Sequence, residues 1–148
     1  MLLPDYKDFK KPFEDGKNQL VYKRLPADLD TAVSLMIKLT RNKKNSFLLE
    51  SVTGGEIRGR YSVIGMDPDL IWECFGETSR VKTKSKKKFS AFEECKQKPL
   101  LALREILAKT KIEIPKSLPQ MAAGLFGFLG YDMIRLVENL PNVNPDIL

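Results

Sequence analysis

The residues best able to do chemistry are gathered in LLESVTGGEIRGRYSVIG, residues 48–65, where one apolar run ends in Glu50 and Ser51 and a second begins with Arg60-Tyr61-Ser62. With the two-residue period of a strand, Phe47, Leu49 and Ser51 share one face, and Leu48, Glu50 and Val52 share the other. If the Phe47/Leu49 face is the core face, Ser51 carries a hydroxyl into apolar surroundings, where leaving it unpaired costs about 1 to 3 kcal/mol. Its partner is then protein, water or ligand. Glu50 can receive an ammonium, and Arg58 or Arg60 from the next strand can hold a carboxylate through two hydrogen bonds. A carboxylate, a hydroxyl and a guanidinium around an apolar floor suit an amino acid ligand. The same residues also fit an ordinary hairpin in which Ser51 turns the chain and Glu50 pairs with Arg60.

Other chemistries are excluded by what the sequence lacks. It contains no histidine, which removes Ser-His-Asp, Cys-His and histidine-based acid-base catalysis from this chain. Cys74 and Cys95 form no CxxC pair and have no histidine to complete a zinc set, so they read as reduced thiols, one of them buried, and no metal site is expected. The glycines of GLFGFLG, residues 124–130, recur every three residues, unlike the G-x-G-x-x-G of a dinucleotide loop. A strand lying close against another backbone explains them instead. The net charge of +6 lies within residues 80–98, where Arg80 and seven lysines face only Glu93 and Glu94. VKTKSK alternates, putting lysines on one side of an expected edge strand, where they block edge-to-edge pairing. Only Phe89 and Phe92 accompany them, a thin supply for base stacking, so a solvated edge is expected and no nucleic-acid partner.

These residues must be positioned by a modest set of elements. At 148 residues, 43% hydrophobic and 30% charged, the sequence fits one domain with a core. No apolar run approaches the roughly 18 to 20 residues of a membrane span, and MLLPDYKDFKK lacks the features of a signal peptide, so a cytoplasmic location without a membrane partner is expected. Tyr6, Phe9 and Phe13 suit a short amphipathic helix or docked arm, LVYKRL (20–25) a strand, and DTAVSLMIKLTR a helix over about 30–41 capped by Asp28 or Asp30. Strand-like runs follow at 46–52, 60–66, 70–75 and 80–86, with turns at Gly54-Gly55, Asp67-Pro68-Asp69 and Gly76. Pro99 opens a helix over about 99–109. Strands mixed with helices, without steady alternation, predict an α+β fold of antiparallel sheets flanked by helices.

FLLESVTGGEIRGRYSVIGMDP, together with AAGLFGFLGYDMIRLVENLPNVNPD, resembles the N-terminal region of anthranilate synthase component I, across almost the whole chain. The resemblance implies a parent lyase that converts chorismate to anthranilate in tryptophan biosynthesis, with ammonia from a glutamine amidotransferase subunit and a Mg2+ ion. It places residues 1–148 in the N-terminal regulatory domain, with the chorismate-binding catalytic domain, its Mg2+ ligands and its histidine beyond this sequence. The chain alone is therefore expected to be inactive and to hold no cofactor. It further implies that Ser51 and Glu50 contact feedback L-tryptophan, with Arg60, Tyr61 and Ser62 as additional contacts. Aminodeoxychorismate synthase component I of folate biosynthesis shares the architecture but usually differs at the Glu50 position, and a stand-alone basic module is the remaining alternative. Apolar surface around Leu125 to Leu129, intended for the catalytic domain, is expected to be exposed and to favour a homo-oligomer.

Overall fold

The computed structural model describes residues 1–41, 43–51 and 61–141. Helices and antiparallel ladders occur together, as expected for α+β, in two units, Met1–Asp69 and Leu70–Leu148.

In the first unit, helix α1 (Tyr6–Glu14) starts where the Asp5 carboxylate accepts from the Asp8 N–H at 2.9 Å, satisfying a donor that the first helical turn leaves without a partner. Phe9 and Phe13, one turn apart, stack at 5.2 Å between ring centroids. LVYKRL forms no strand. Its one sheet-like feature is a bridge in which Leu3 and Tyr22 exchange backbone hydrogen bonds of 2.9 and 2.8 Å, and Pro26 follows too soon for a ladder to grow. Helix α2 (Ala32–Thr40) begins at Thr31, one residue past the expected Asp30 cap. Thr31 and Ser34 form a reciprocal capping box, with the Ser34 N–H donating to Thr31 Oγ1 at 3.1 Å and the Thr31 N–H donating to Ser34 Oγ at 3.0 Å. Asp30 instead accepts from Ser34 Oγ at 2.8 Å and pairs with Lys38. Arg41, at φ 44°, ends the helix in the left-handed conformation.

Helix α2 packs on a two-stranded antiparallel ladder of β1 (Phe47–Glu50) and β2 (Ser62–Gly65). The register sets Phe47 opposite Gly65, Leu48 opposite Ile64, Leu49 opposite Val63 and Glu50 opposite Ser62. The expected Gly54-Gly55 turn, Val52, Arg58 and Arg60 lie outside the described residues.

The second unit is built on β4 (Thr78–Ser85). Strand β3 (Leu70–Phe75) pairs along one side through the turn at Gly76-Glu77, where Gly76 takes φ 55°. On the other side lie β5 (Lys88–Phe89) and β6 (Glu93–Glu94). The lysine-bearing strand is thus central rather than an edge. The chain returns through Lys86 and Lys87 at φ 47° and 71°; this tight turn is normally marked by Asn or Gly and so was not legible in the lysine run. Helix α3 (Pro99–Lys109) packs on β4 with Pro99 and Ala102 buried. The face of β3 and β4 that carries Trp72, Cys74, Ser79 and Val81 includes two buried polar atoms, Trp72 Nε1 and Ser79 Oγ, without a hydrogen bond among the described residues. Each costs about 1 to 3 kcal/mol of desolvation. Neither cysteine is fully buried, and both are free.

Residues 121–132 form no strand. A 3-10 turn at Gln120–Ala122 and another at Tyr131–Leu136 flank an exposed Leu125-Phe126-Gly127-Phe128-Leu129, with Phe128 90% exposed. A side-chain carbon added at Gly124 or Gly127 would meet nothing within 4 Å, so close backbone approach is not the reason for these glycines.

The N-terminus of α2 yields a pH prediction. The Lys38 ammonium and then the Ser34 hydroxyl, both bonded to Asp30, hold its carboxyl below the usual aspartate value. A depressed folded pKa contributes stability that is present above the ordinary aspartate range and lost as pH falls through the lowered value. Carboxyl-detected NMR titration should find Asp30 protonating below the usual aspartate range, and Asp30→Asn should remove that part of the acid sensitivity.

Candidate functional site

Four of the five sequence-predicted site residues stand at one end of the β1–β2 ladder. Glu50 is the last residue of β1 and Ser62 the first of β2, and they are direct partners across it. Direct partners in an antiparallel pair project from the same face with Cβ atoms about 4.5 to 5.5 Å apart. Ser51 follows Glu50 and Tyr61 precedes Ser62, which brings both to the same end. Arg60, the fifth, lies outside the described residues; in the described register Ser62 stands opposite Glu50.

Burial along β1 does not alternate as a half-buried strand would. Phe47 and Leu48 are half-buried, whereas Leu49, Glu50 and Ser51 are exposed. A four-residue strand spans only about 13 Å, and cover fades along it from Phe47 to Ser51. The Ser51 hydroxyl therefore meets solvent, not the apolar surroundings that its face suggested, and it has no desolvation cost to recover. On the Glu50/Ser62 face the neighbouring pair is Leu48 and Ile64, both half-buried. That face thus offers a carboxylate and the Ser62 hydroxyl beside an aliphatic step, with Ser51 and Tyr61 at the same end of the ladder. Such a set can accept N–H donors and support an apolar group. Cys74 adds no nucleophile, because burial pushes its thiol pKa up and disfavours the reactive thiolate.

Sequence reasoning missed one residue pair at this site. The Phe47 ring lies over Gly65, so close that a Cβ built on Gly65 would sit 2.1 Å from Phe47 Cε1 and 2.2 Å from Cζ. The available signal was a glycine within an otherwise β-forming YSVIGM run, which marks close approach of another group.

The basic region is organised differently. Arg80, Lys82 and Lys84 share one face of β4 with Glu73 and Phe75 of β3. Arg80 donates twice to Glu73 Oε2, at 2.9 and 2.7 Å, and lies 4.3 Å from the Phe92 ring centroid and 5.3 Å from that of Phe75. Lys82 lies 4.2 Å from Phe92 and 5.2 Å from Phe89, and Lys84 is 5.9 Å from Phe89. The three aromatics are occupied by the chain's own cations through cation–π contacts. A cavity of about 320 Å3 between Phe75, Thr78, Ser79, Arg80, Phe92 and Glu94 therefore presents an arginine already paired and a carboxylate that repels anions. Among the described residues no group of three or more His, Cys, Asp or Glu side chains could hold a metal ion, and no helix is long and apolar enough to cross a membrane.

Comparison with known proteins adds what the geometry cannot. No protein-family model and no solved structure matches the chain. It is 55% identical over 146 residues to anthranilate synthase component 1 of Cereibacter sphaeroides, a match covering 99% of this chain and 29% of that protein. Against anthranilate synthase component 1 of Pseudomonas aeruginosa it is 35% identical over 153 residues, covering 95% of the chain and 30% of the relative. The probable anthranilate synthase component 1 of Schizosaccharomyces pombe is 33% identical over 139 residues, covering 93% and 24%. The chain thus spans less than a third of the length of these curated relatives. Along nearly all of its residues, the chain is a sequence relative of anthranilate synthase component 1, matched to its N-terminal region.

Proposed function

We propose that this chain is the N-terminal regulatory region of a cytoplasmic anthranilate synthase component 1, and that the Glu50/Ser62 end of its β1–β2 ladder is part of a feedback site for L-tryptophan. The observation that carries the family reading is 55% identity across 99% of the chain. The relatives' shared name favours it over aminodeoxychorismate synthase. The binding reading is supported by four candidate residues standing at one ladder end, where a carboxylate and hydroxyls adjoin Leu48 and Ile64. Glu50 receives the ammonium of the amino acid, Ser51 and Ser62 complete its polar contacts, Tyr61 flanks it, and Arg60 is the proposed carboxylate ligand.

In this reading, chorismate conversion, the Mg2+ ion and the ammonia supply from a glutamine amidotransferase subunit belong to the whole enzyme and its catalytic domain. The described residues supply no fit for such an ion. The region's task is regulatory: tryptophan binds one arrangement of the enzyme better than another and shifts the population toward the less active one. Base stacking by a nucleic acid is disfavoured in this reading, since the aromatic faces near the lysines are occupied by cations and stacking needs them open.

The exposed Leu125–Leu129 segment supports a further part of the proposal, self-association of the chain when expressed alone. Sedimentation velocity over a 100-fold concentration range should show a concentration-dependent increase in mass, and a monomer throughout would remove this part. For the site itself, full-length enzyme carrying Ser51→Ala should need about 10-fold more tryptophan for half-inhibition. Inhibition indistinguishable from that of the unsubstituted enzyme would take Ser51 out of the site.

A further inference from the structure

We propose that Phe47 and Gly65 form a register lock, a positioning pair that holds Glu50 opposite Ser62 at the other end of the ladder. The consequence for tryptophan rests on the regulatory reading above; the lock itself does not.

Among the described residues the β1–β2 ladder comprises four residue pairs. Where a cross-strand pair discriminates between possible partners, its side chains specify the register. Three of the four pairs are undemanding. Leu48/Ile64 and Leu49/Val63 join aliphatic residues that tolerate many neighbours, and Glu50/Ser62 is exposed.

Phe47/Gly65 is the selective one. The ring occupies the volume that any other side chain at position 65 would fill, with Cε1 only 2.1 Å from a Cβ built there. Slipping the strands by one residue would place Phe47 opposite Ile64 or Met66, each with a side chain in the ring's present place. The same slip would turn Glu50 to the opposite face from Ser62, because side chains alternate along a strand. An aromatic ring laid over a cross-strand glycine also shields backbone that glycine leaves bare. A single contact near Gly65 therefore fixes which polar groups meet three residue pairs away. Replacing Gly65 with alanine forces a choice. Either the ring swings off position 65 and the register survives, the outcome the lock forbids, or the strands shift and the Glu50/Ser62 pairing is lost, the outcome it predicts.

An antiparallel pair is locally two-fold symmetric, so the lock should work when reversed, with the ring on position 65 and the glycine on position 47. This separates register selection from ordinary packing, which a swap of such different volumes would not preserve. Two measurements test it. In this chain, NMR cross-strand contacts should join residue 47 to 65 and Glu50 to Ser62 in the unsubstituted protein and in the Phe47→Gly/Gly65→Phe double variant, but be lost or shifted in Gly65→Ala. In the full-length enzyme, Gly65→Ala should raise the half-inhibiting tryptophan concentration about 10-fold, with kcat and KM for chorismate unchanged, and the double variant should restore inhibition. Should Gly65→Ala fail to fold, the double variant still decides. Unaltered Glu50–Ser62 contacts in Gly65→Ala, or a double variant that fails to recover them, would overturn the lock. If the register behaves as expected and tryptophan inhibits no form of the enzyme, the regulatory reading fails and the lock stands.

Discussion

In an antiparallel ladder, directly opposite residues must leave the same face, and in both units this decides which side chains meet. It puts Glu50 with Ser62 and Phe47 with Gly65 in the first unit, and Glu73 with Arg80 in the second. Each pairing has a different physical consequence. Glu73 and Arg80 satisfy each other through two charge-assisted hydrogen bonds. Phe47 and Gly65 are a steric match. Glu50 and Ser62 hold their polar capacity toward solvent, where a ligand can use it. Ordinary ladder geometry thus separates structural polar groups from those open to binding.

The basic stretch shows how composition alone can misdirect. A net charge of +6 confined to residues 80–98 has the appearance of a polyanion-binding surface. Folding gives two sets of those cations different settings. Arg80, Lys82 and Lys84 turn their charges over Phe75, Phe89 and Phe92, while Lys86 and Lys87 form the tip of a hairpin. The aliphatic stems of the first group cover aromatic surface that would otherwise face water. β4 can carry this row because β3 lies on one side of it and β5 and β6 on the other.

Little of the chain is deeply buried. Among the described residues Thr40, Ser79, Pro99 and Ala102 are buried, whereas large apolar side chains such as Leu29, Phe128 and Tyr131 stand in solvent. Surface of that kind marks places where other protein packs. It agrees with a chain that spans under a third of the length of its relatives.

Much of the fold was legible in the sequence because it depends on local rules. Helical spacing marked α1, α2 and α3; alternation and turn residues marked β1 to β4 to within a few residues; Pro99 opened α3 as its fixed φ and missing N–H favour. The quoted motifs also carried the family resemblance that the relatives bear out. Where long-range contact decides, sequence reasoning fell short. LVYKRL has strand-forming residues but only one bridge to pair with. Residues 121–132 have the apolar character of a strand but no ladder to join. VKTKSK reads as an edge until β5 and β6 fold back onto it. By itself the sequence determined the residue types at the candidate site and the elements that carry them, since both follow from side-chain chemistry and periodicity. Only the tertiary structure decided that Glu50 faces Ser62, that Ser51 is exposed and that Phe47 covers Gly65, because register and burial are properties of paired segments and not of either segment alone.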